Sequence, residues 1–531
     1  MSIIVKSLSY AHTDGELLFK DLNFTIYKGS KAALVGNNGM GKSTLLKIIS
    51  GHLEQSGGEV ILPEKPYYIP QHLGQYDRHT VAQALGVDLK LNAMYAILNG
   101  DTDAENFSVL NDDWEIEERV KAAMSFWKIE YLNHSEKLES LSGGEKTKLF
   151  LAGILIHSPE IILLDEPSNH LDADSREILY DFIRKSKNTI LVVSHDKTLL
   201  NFLDTTLEIS EKGIELFGGN YSFYNEMKEG KLRSLQSRLD ETEKNLKQTK
   251  QRASELAEQR QKQESRGKKQ SQKKALPRIV AGGLGGKAEQ SSAKLKDTQN
   301  EKINDISEAL KDIRQQIQEQ KVLKIDMKSS GLHKGKILIE ANEINYSYGK
   351  NNLWSEPLTF QVRSGDRICI KGKNSTGKTT LIKILTGALK LTTGKISMSE
   401  FGYIYIDQEY SMIEHSLSVF EQVLRFNDRH LREHELKMLL HYHQLPQNTW
   451  DRKCEALSGG EKMKLLLCCV AVSNNTPDIV ILDEPTNNLD IYSQNILTEA
   501  LKSFSGTIIL ISHDICFIDE ICINGTIQIP G

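Results

Sequence analysis

The chain has 531 residues, of which 39% are hydrophobic and 26% charged, and its formal net charge is −5. At roughly 150 residues per domain, this length predicts about three globular domains, and the net charge alone points to no nucleic-acid partner. The longest uninterrupted apolar run, 465–472, has eight residues, whereas a membrane-spanning helix needs about 20. Because no charged-then-apolar leader opens the chain, we expect a cytoplasmic protein with no translocation pathway of its own.

The six cysteines all lie in the second half of the chain, at Cys369, Cys454, Cys468, Cys469, Cys516 and Cys522. None of them forms a Cys-x-x-Cys pair, the spacing that a metal or redox site favours. We therefore predict that they are free thiols in the core of a protein from a reducing compartment.

Four segments of the chain occur twice in the same order, which indicates an internal repeat. The pairs are 36–43 (GNNGMGKS) with 372–379 (GKNSTGKT), 141–146 with 457–462 (both LSGGEK), 161–167 with 479–485, and 194–196 with 512–514. The offset between copies is 336 for the first pair and 316 or 318 for the others. The first copy therefore contains about 20 additional residues after its glycine-rich segment.

The segment between the copies, about 231–320, has almost no aromatic residue and is rich in Lys, Gln, Glu and Ser. Apolar residues follow a narrow 3–4 spacing there, which favours paired helices; they are Leu232, Leu235, Leu239, Ile303, Ile306, Leu310, Ile313 and Ile317. Pro277 and the four glycines of 281–286 would break a helix. The sequence thus predicts a helical hairpin whose arms of about 40 residues reach roughly 60 Å.

The first glycine-rich segment has the pattern of a phosphate loop between a strand, 32–35, and a helix, 43–49. Its glycines let backbone N–H groups converge on phosphate oxygens at the positive end of the helix. In this pattern Lys42 reaches the β- and γ-phosphates of ATP and Ser43 binds Mg²⁺, and Lys378 and Thr379 take these roles in the second copy. The residues predicted to bind ATP in the two loops are Gly36, Asn37, Asn38, Gly39, Met40, Gly41, Lys42, Ser43, Thr44, Gly372, Lys373, Asn374, Ser375, Thr376, Gly377, Lys378, Thr379 and Thr380.

Each copy also has a fully apolar strand that ends in adjacent carboxylates, Asp165-Glu166 and Asp483-Glu484. Fully apolar strands are typical of a parallel sheet covered on both faces. We predict that each Asp holds Mg²⁺, directly or through water, and that each Glu is the general base for the attacking water. The alternative, a pair of solvated strand-end carboxylates, does not explain why the arrangement occurs twice.

The segment Leu-Ser-Gly-Gly-Glu, present in both copies, resembles the signature of the ATP-binding cassette superfamily. The resemblance implies that the signature of one copy covers the γ-phosphate held by the other. It also implies a glutamine that contacts Mg²⁺ and the attacking water, and a histidine that lies near the γ-phosphate. An aspartate would lie in the loop that links the two sites, and an aromatic ring would stack on adenine. The residues that match are Ser142, Gly143, Gly144, Ser458, Gly459, Gly460, Gln71, Gln408, His195, His513, Asp172, Asp490, Tyr10 and Tyr348, with Tyr346 as a rival to Tyr348.

One position departs from the superfamily pattern. The second loop has Ser375 where the family usually has glycine, and the first loop keeps Gly39 there. If this position needs a positive φ, a residue other than glycine costs roughly 1–2 kcal/mol. We therefore hypothesise that the two sites differ in affinity or rate.

Two cassettes, no membrane span and a long charged spacer together resemble the ABC-F family of translation factors over the whole chain. The segments 166–172 (EPSNHLD) and 484–490 (EPTNNLD) resemble the family's Glu-Pro-Thr-Asn-His-Leu-Asp, and 217–221 (FGGNY) resembles the segment that closes its first cassette. The resemblance implies an α/β fold with two P-loop ATP-binding-cassette domains, 1–222 and 334–531, joined by a coiled-coil helical hairpin, 223–333.

The same resemblance implies an ATP hydrolase with two composite ATP sites. It implies that the chain acts as a monomer, with an intramolecular cassette sandwich and no membrane subunit. In the ATP state it would bind the 70S ribosome at the tRNA exit site. The linker would then point at the peptidyl-tRNA and the peptidyl-transferase centre.

The charge distribution supports an RNA partner independently. From 260 to 296 the chain has eleven Lys or Arg and two acidic residues, a charge of +9, which leaves −14 on the rest. A basic tip on an acidic body suits phosphate binding, although a solvated helix face that happens to be basic is the alternative. The residues proposed to bind RNA are Arg260, Lys262, Arg266, Lys268, Lys269, Lys273, Lys274, Arg278 and Lys287.

Two branches of the family fit this chain. The long linker and the short first-cassette insertion favour the branch that protects ribosomes from antibiotics over the housekeeping branch that relieves stalled ribosomes. Against protection, the predicted tip is glycine-rich, with Ile279, Val280 and Leu284 as its bulky apolar residues. A transporter ATPase subunit would not explain the basic spacer, and a DNA-repair ATPase would usually have zinc cysteines or longer coils.

Overall fold

The computed structural model describes residues 3–12, 15–273, 297–314, 316–317, 331–349, 351–373, 376–474, 476–487 and 489–530. The chain divides into two compact units. One contains both halves of the repeat, Met1–Ser222 and Leu323–Gly531, and the other is the segment between them, Phe223–Val322. Among the described residues, no helix combines the length and the apolar character needed to cross a membrane.

The first cassette is built from strands and helices that alternate along the chain. The described strands are β1 (Ile3–Ala11), β2 (Leu17–Ile26), β3 (Lys31–Val35), β4 (Gly57–Ile61), β5 (Tyr67–Ile69), β6 (Ile161–Asp165), β7 (Thr189–Val193), β8 (Thr205–Ser210) and β9 (Gly213–Phe217). The described helices are α1 (Lys42–Ile49), α2 (Val81–Ala84), α3 (Asp88–Leu98), α4 (Ala104–Leu110), α5 (Ile116–Phe126), α6 (Gly143–His157), α7 (Ala173–Lys185) and α8 (Lys197–Leu200). Short 3₁₀ turns occur at Gly74–Tyr76 and Leu138–Ser140.

These strands form two sheets. An antiparallel sheet has the order β2-β1-β4, and a larger sheet has the order β5-β6-β7-β3-β8-β9, parallel except for its last pair. Strands β6 and β7 are buried along their whole length, as a parallel sheet covered on both faces requires. Asp165 pairs with Val193 in the register of β6 and β7. The residues that follow the two strands therefore meet at one edge of the sheet, which is where α/β folds place ligands.

The described residues of the second unit form two helices. Helix α9 (Tyr221–Lys273) continues into it from the first cassette, and α10 covers 297–314. Within this unit the Arg314 guanidinium donates to Oε1 of Glu243 at 2.7 Å, and the predicted apolar seam is buried at Leu310, Ile313 and Ile317. The two helices therefore pack together. Pro277 and the glycines of 281–286, which we predict to form the turn, lie outside the described residues.

The second cassette repeats the plan of the first. Its described helices are α11 (Lys378–Leu385), α12 (Val419–Arg425), α13 (Glu433–Tyr442), α14 (Gly459–Val472), α15 (Ile491–Ser503) and α16 (Ile515–Glu520). Its described strands are β10 (Ile337–Asn345), β11 (Leu358–Arg363), β12 (Arg367–Lys371), β13 (Thr393–Met398), β14 (Tyr403–Ile406), β15 (Ile479–Asp483), β16 (Thr507–Ile511) and β17 (Gly525–Gln528), with 3₁₀ turns at Gln447–Thr449 and Cys454–Ala456.

The sheets of the second cassette have the orders β11-β10-β13, which is antiparallel, and β14-β15-β16-β12-β17, which is parallel. The predicted α/β fold class, with two cassettes and a helical linker, is confirmed by this architecture. All six cysteines are free, and Cys369, Cys454, Cys468 and Cys469 are buried. The prediction of core thiols is wrong for Cys522, which is exposed because it lies just after α16 ends.

Candidate nucleotide sites

The first phosphate loop closes around the ammonium group of Lys42. Its Nζ donates to the carbonyl oxygens of Gly36 at 2.7 Å and Asn37 at 3.1 Å. Gly39 and Gly41 both have a φ of +84°, and a Cβ at Gly41 would come within 2.8 Å of the Leu18 side chain. Glycine is therefore needed at the point where α1 begins. Burial lowers the pKa of Lys42, against the nearby carboxylates of Glu166, Asp490 and Asp165.

The carboxylate at the end of β6 has oxygen neighbours that suit a hard cation. Burial raises the pKa of Asp165, and the Ser43 side chain and the charge of Lys42 oppose that rise. The Tyr68 hydroxyl donates to Oδ2 of Asp165 at 3.4 Å. The other carboxylate oxygen, Oδ1, is buried and has no hydrogen-bond partner. Mg²⁺ prefers such oxygen ligands, so Ser43 and Asp165 fit the metal that the sequence predicts.

Glu166 lies next to this carboxylate with a strained backbone, at a φ of +52°. Its N–H donates to the Val193 carbonyl oxygen at 2.8 Å, and the N–H of His195 donates to its Oε2 at 3.3 Å. A backbone strained in this way is commonly retained at functional sites. Burial and the charge of Asp165 raise the pKa of Glu166 to about 8, against the opposing charge of Lys42.

The imidazole of His195 lies close to the same carboxyl group, with Nε2 at 3.4 Å from Oε1 of Glu166. Burial and the nearby charge of Lys42 lower the pKa of His195 to about 3. The ring is therefore neutral at physiological pH, and the contact is polar rather than ionic. With a pKa near neutrality, Glu166 is suited to proton transfer.

The second cassette repeats this arrangement with different distances. Nζ of Lys378 donates to the carbonyl oxygens of Gly372 at 2.8 Å and Lys373 at 3.2 Å, and also lies 2.9 Å from Nε2 of His513. Burial lowers the pKa of His513 to about 4, helped by the charges of Lys378 and Arg176. The ring is therefore neutral, and its Nε2 accepts from the lysine.

The carboxylates of the second cassette have matching neighbours. The Thr379 hydroxyl donates to Oδ2 of Asp483 at 3.0 Å, and the Tyr405 hydroxyl does so at 3.2 Å. Glu484 has a φ of +48°. Burial raises the pKa of Glu484 to about 7, against the charges of Arg176 and Lys378. Thr379 and Asp483 are thus the corresponding candidate Mg²⁺ ligands.

A cavity of about 450 Å³ opens beside the first phosphate loop, and residues of both cassettes line it. This volume lies in the range of small-molecule sites. The predicted residues on its wall are Asn38, Gly39, Gly41, Lys42, Ser43, Thr44, Gln71, Asp165, Glu166, His195 and, from the second cassette, the signature residue Ser458. The first phosphate loop and the second signature therefore share one cavity.

One of the two linking aspartates, Asp490, forms a hydrogen bond with the opposite cassette. The N–H of Asn38 donates to Oδ2 of Asp490 at 3.0 Å, and Oδ1 of Asp490 accepts from the N–H of Ser493, which caps α15. In the other direction, burial lowers the pKa of Lys378, and the charges of Glu484, Asp483 and, from the first cassette, Asp172 oppose that effect.

Both signature serines cap the helices that follow them. The Ser458 hydroxyl donates to Oε2 of Glu461 at 2.8 Å and accepts from the Glu461 N–H at 3.3 Å, and Ser142 and Glu145 form the same capping box. Gly143 and Gly144 open α6, and Gly459 and Gly460 open α14. The hydroxyls thus stand at the positive ends of helices, where anions are stabilised.

The aromatic residues predicted to stack on adenine have other contacts. Tyr10 packs against the hydrophobic core of the first cassette, including Phe19, whereas its neighbour His12 lines the cavity. The Tyr348 hydroxyl lies 3.1 Å from Oγ1 of Thr380, and its ring meets Tyr346 edge to face at 4.9 Å. The adenine role of Tyr10 and Tyr348 stays a prediction, and His12 becomes a further candidate.

The remaining predicted residues are placed as follows. Met40 packs against the hydrophobic core of the first cassette. Gln408 is exposed. The Thr376 hydroxyl donates to the Lys373 carbonyl oxygen. Gly377 has a φ of +89° where α11 begins. Asn374 and Ser375 lie outside the described residues, so the consequence of Ser375 stays a hypothesis.

The basic residues of the linker are partly described. Lys262 and Arg266 are exposed on α9. The backbone of α9 also includes Arg260, Lys268, Lys269 and Lys273, whose side chains lie outside the described part of the chain, as do Lys274, Arg278 and Lys287 altogether. Their RNA-binding role stays a prediction.

Three features of the sites were missed in the sequence. Tyr68 donates a hydrogen bond to Asp165, and Tyr405 donates one to Asp483. Each tyrosine lies three residues before the predicted glutamine of its copy, so this repeated spacing could have identified both tyrosines as site residues. The Trp354 indole N–H donates to the Thr376 carbonyl oxygen at 2.9 Å and so braces the second loop. No local pattern pointed to it.

The third missed feature is Arg176, which is buried on α7. Its Nε donates to the Leu171 carbonyl oxygen at 3.2 Å, and its Nη1 lies 3.9 Å from Oδ2 of Asp196. The equivalent residue of the second copy, Gln494, donates to the equivalent carbonyl oxygen of Leu489 at 3.4 Å but has no charge. The two sites therefore differ by one buried cation.

Two phosphate loops, two strand-end carboxylate pairs and two signature helices, repeated on one chain, define a protein of the twin-cassette P-loop class. The sequence profile of the ABC transporter family matches residues 19–169 and 355–487. ABC transporter F family member 5 of Arabidopsis thaliana is 28% identical over 544 residues, 97% of this chain and 73% of the relative. The ribosome protection protein VmlR of Bacillus subtilis (strain 168) is 26% identical over 521 residues, 98% of this chain and 85% of VmlR.

The fold is also similar to that of a solved structure, the archaeal ribosome recycling factor aABCE1 in complex with the ribosomal stalk protein aP1. The TM-score is 0.58 at 19% identity, over 97% of this chain and 86% of that chain. The chain therefore belongs to the ABC transporter family, with two matched cassettes, and its relatives include proteins of the ABC-F group.

Proposed function

We propose that this chain is an ATPase whose cassettes close on two ATP molecules at composite sites, and that the closed form binds the ribosome. The observation that carries the proposal is the cavity that the first phosphate loop shares with Ser458 of the second signature. The hydrogen bond from Asn38 to Asp490 supports the same closure. A γ-phosphate in that cavity would be covered by the opposite cassette.

The residues of the first site divide the chemistry among themselves. The loop amides and Lys42 hold the β- and γ-phosphates, and Ser43 and Asp165 hold Mg²⁺. When bound, Mg²⁺ neutralises charge on the transferring phosphate. Glu166 accepts a proton from the water that attacks the γ-phosphate, and neutral His195 keeps that carboxyl group in place. The corresponding residues act in the same way at the second site; they are Lys378, Thr379, Asp483, Glu484 and His513.

The ribosome is the proposed target because of the linker and of one relative. The described linker residues Lys262 and Arg266 are exposed, and the stretch 260–296 has a charge of +9. VmlR, which this chain matches over 98% of its length, is named a ribosome protection protein. We propose that the closed chain binds at the tRNA exit site of the 70S ribosome and that the linker acts on peptidyl-tRNA and the peptidyl-transferase centre.

The direct test is co-sedimentation with 70S ribosomes. The double variant Glu166→Gln, Glu484→Gln should bind ATP without hydrolysing it and should accumulate on ribosomes with ATP but not with ADP. The matched control, Lys42→Ala with Lys378→Ala, removes the phosphate contacts and should stay unbound. Co-sedimentation with membranes instead of ribosomes would overturn the proposal.

The proposed cellular role is protection of the ribosome from antibiotics that bind near the peptidyl-transferase centre. A susceptible bacterial host expressing this chain should tolerate such an antibiotic better than one expressing the double Gln variant. Unchanged tolerance, together with faster recovery of stalled ribosomes in a translation assay, would instead establish the housekeeping role.

A further inference from the structure

Trp354 is wholly buried, and a buried asparagine holds its backbone. Oδ1 of Asn345 accepts from the backbone N–H of Trp354 at 3.2 Å, and Nδ2 of Asn345 donates to the Trp354 carbonyl oxygen at 2.8 Å. Asn345 is the last residue of β10 and is itself only 1% exposed. The antiparallel sheet of the second cassette and the core around it therefore fix the position of the Trp354 ring.

The Trp354 indole fixes one peptide group of the second phosphate loop. Its Nε1–H donates to the Thr376 carbonyl oxygen at 2.9 Å, which is the usual length of such a bond. In a planar trans peptide the C=O and N–H groups point in opposite directions. The N–H of Gly377 belongs to the same peptide group, so it points away from the indole.

This peptide group lies where the second phosphate loop meets α11. Gly377 directly precedes the helix, at a φ of +89°. The residue after it is Lys378, whose Nζ donates to two carbonyl oxygens of the loop. Backbone N–H groups at this end of a helix are the donors that bind phosphate. The indole therefore orients a donor that the proposed function uses.

The first cassette has a similar contact without the hydrogen bond. A Cβ on Gly377 would lie 3.1 Å from Nε1 of Trp354, and a Cβ on Gly41 would lie 3.0 Å from the Phe19 ring. Both aromatic residues are buried, Trp354 at 0% exposure and Phe19 at 6%. Phe19 thus takes the position of Trp354 beside the first loop, but its ring has no N–H group to donate to a loop carbonyl oxygen.

We propose that Trp354 is a positioning residue of the second ATP site, and that its indole N–H holds the Gly377 amide in the direction that binds phosphate. The inference rests on the ATP binding proposed above and adds a residue that supports it at one site only. A loop amide that is already fixed needs no ordering when ATP binds, which raises the affinity. Loss of the indole N–H therefore weakens ATP binding at the second site and leaves the first site unchanged.

The test measures ATP binding at each site separately. In the Lys42→Ala, Glu484→Gln background only the second loop should bind ATP, and in the Lys378→Ala, Glu166→Gln background only the first. Trp354→Phe copies the residue of the first cassette. It should weaken ATP binding at the second site by about threefold to tenfold, the factor that corresponds to one hydrogen bond. The ATP isotherm of the first site should not change.

Trp450 provides the matched control. Its indole N–H also donates to a carbonyl oxygen of the second cassette, that of Leu445 at 2.9 Å, but neither residue belongs to the nucleotide site. Trp450→Phe removes a bond of the same type and length, and it should leave ATP binding at the second site unchanged. An equal weakening by Trp450→Phe would mean that the effect of Trp354→Phe is a general loss of stability, and it would overturn the proposal.

A second variant separates the hydrogen bond from packing. Benzothienylalanine in place of Trp354 has a ring of nearly the same shape, with sulfur instead of the N–H group. It should bind ATP as weakly as Trp354→Phe, and it replaces that variant in the test where Trp354→Phe does not fold. Parent affinity in the benzothienylalanine chain would show that only packing matters and would contradict the proposal.

The two proposals fail in different ways. If the Lys42→Ala, Glu484→Gln parent binds no ATP, the proposed function fails at the second site and the role of Trp354 fails with it. Normal ATP binding in that parent, together with unchanged binding after the indole N–H is removed, refutes the role of Trp354 alone.

Discussion

The backbone N–H of Asn38 donates to Oδ2 of Asp490 at 3.0 Å, although 452 residues separate the two along the chain. The bond joins the phosphate loop of one cassette to the loop that follows the catalytic-base candidate of the other. Burial opposes ionisation of Asp490, yet hydrogen bonds from Ser493 and from Asn38 hold its pKa below the usual value. The carboxylate therefore stays charged beside the first phosphate loop.

Asp490→Ser separates the two tasks of this carboxylate. A serine still caps α15, but its shorter side chain cannot also reach Asn38. Because a hydrogen bond to a charged group contributes about 1.5–3 kcal/mol, we expect ATP binding at the first site to weaken by about tenfold or more. A binding isotherm on the non-hydrolysing double Gln background would measure this. Asp172→Ser should weaken the other site, and an isotherm that matches the parent would contradict the shared site.

Ser458→Asp tests the signature serine without breaking the helix. Aspartate caps helices as well as serine does, so α14 should keep its stability. The added carboxylate would repel phosphate in the first cavity, and we expect ATP binding there to fall by at least about tenfold, since like charges at about 4 Å repel by several kcal/mol near a protein surface.

The comparison variant, Ser458→Ala, should change the stability of the protein but not the charge of the cavity. It loses the cap, which lowers stability by about 1 kcal/mol, but it adds no charge to the cavity. Thermal unfolding and ATP titration of both variants separate the two effects. Normal ATP affinity in Ser458→Asp would show that the second signature does not cover the first site.

Glu166→Gln should stabilise the protein in alkaline solution. The pKa of Glu166 rises from an ordinary 4.5 to about 8 through burial and the charge of Asp165. The folded chain thus binds this proton more tightly than the unfolded chain, so stability falls as pH rises from about 4.5 to about 8. Glutamine avoids that loss, and the gain should be near zero at pH 4.5 and on the order of 4–5 kcal/mol at pH 8.5.

Thermal unfolding of nucleotide-free protein at both pH values checks this prediction. Glu484→Gln is the matched variant, and it should gain less, because burial raises the pKa of Glu484 only to about 7. A Glu166→Gln protein that is less stable than its parent at pH 8.5 would contradict the cost of burying an ionised Glu166 carboxylate.

Neutralising the basic linker should reduce the salt dependence of ribosome binding. We expect replacement of Lys262, Arg266, Lys268 and Lys269 by glutamine to weaken binding at low salt. The slope of log affinity against log salt should decrease by about 0.7–0.9 for each RNA phosphate that the variant no longer neutralises. Co-sedimentation across a salt series measures both quantities. Glutamine at four exposed lysines of the first cassette (Lys28, Lys121, Lys137 and Lys185) should leave the slope unchanged.

Some features of the sites were predictable because their chemistry is local. The strand before Gly36, the helix that begins at Lys42 and the apolar strand that ends in Asp165 are short segments whose residue types require that backbone. The linker seam at Leu310, Ile313 and Ile317 was predictable for the same reason, since spacing along one helix is a local property. The predicted burial of Cys522 is wrong, because the residue type alone does not determine whether a position just after a helix is exposed to solvent.

The sequence by itself determined that there are two phosphate loops, two carboxylate pairs and two signatures, since each motif is encoded within a few consecutive residues. Only the tertiary structure decided which of these residues meet. The bond from Asn38 to Asp490 and the pair of Lys197 with Glu520 join segments more than 300 residues apart. Arg176 and Gln494 look like ordinary helix residues until their burial, and the position of Arg176 beside Asp196, are known. The physical reason is that contact across a folded interface depends on distance in space, which the order of residues along the chain does not specify.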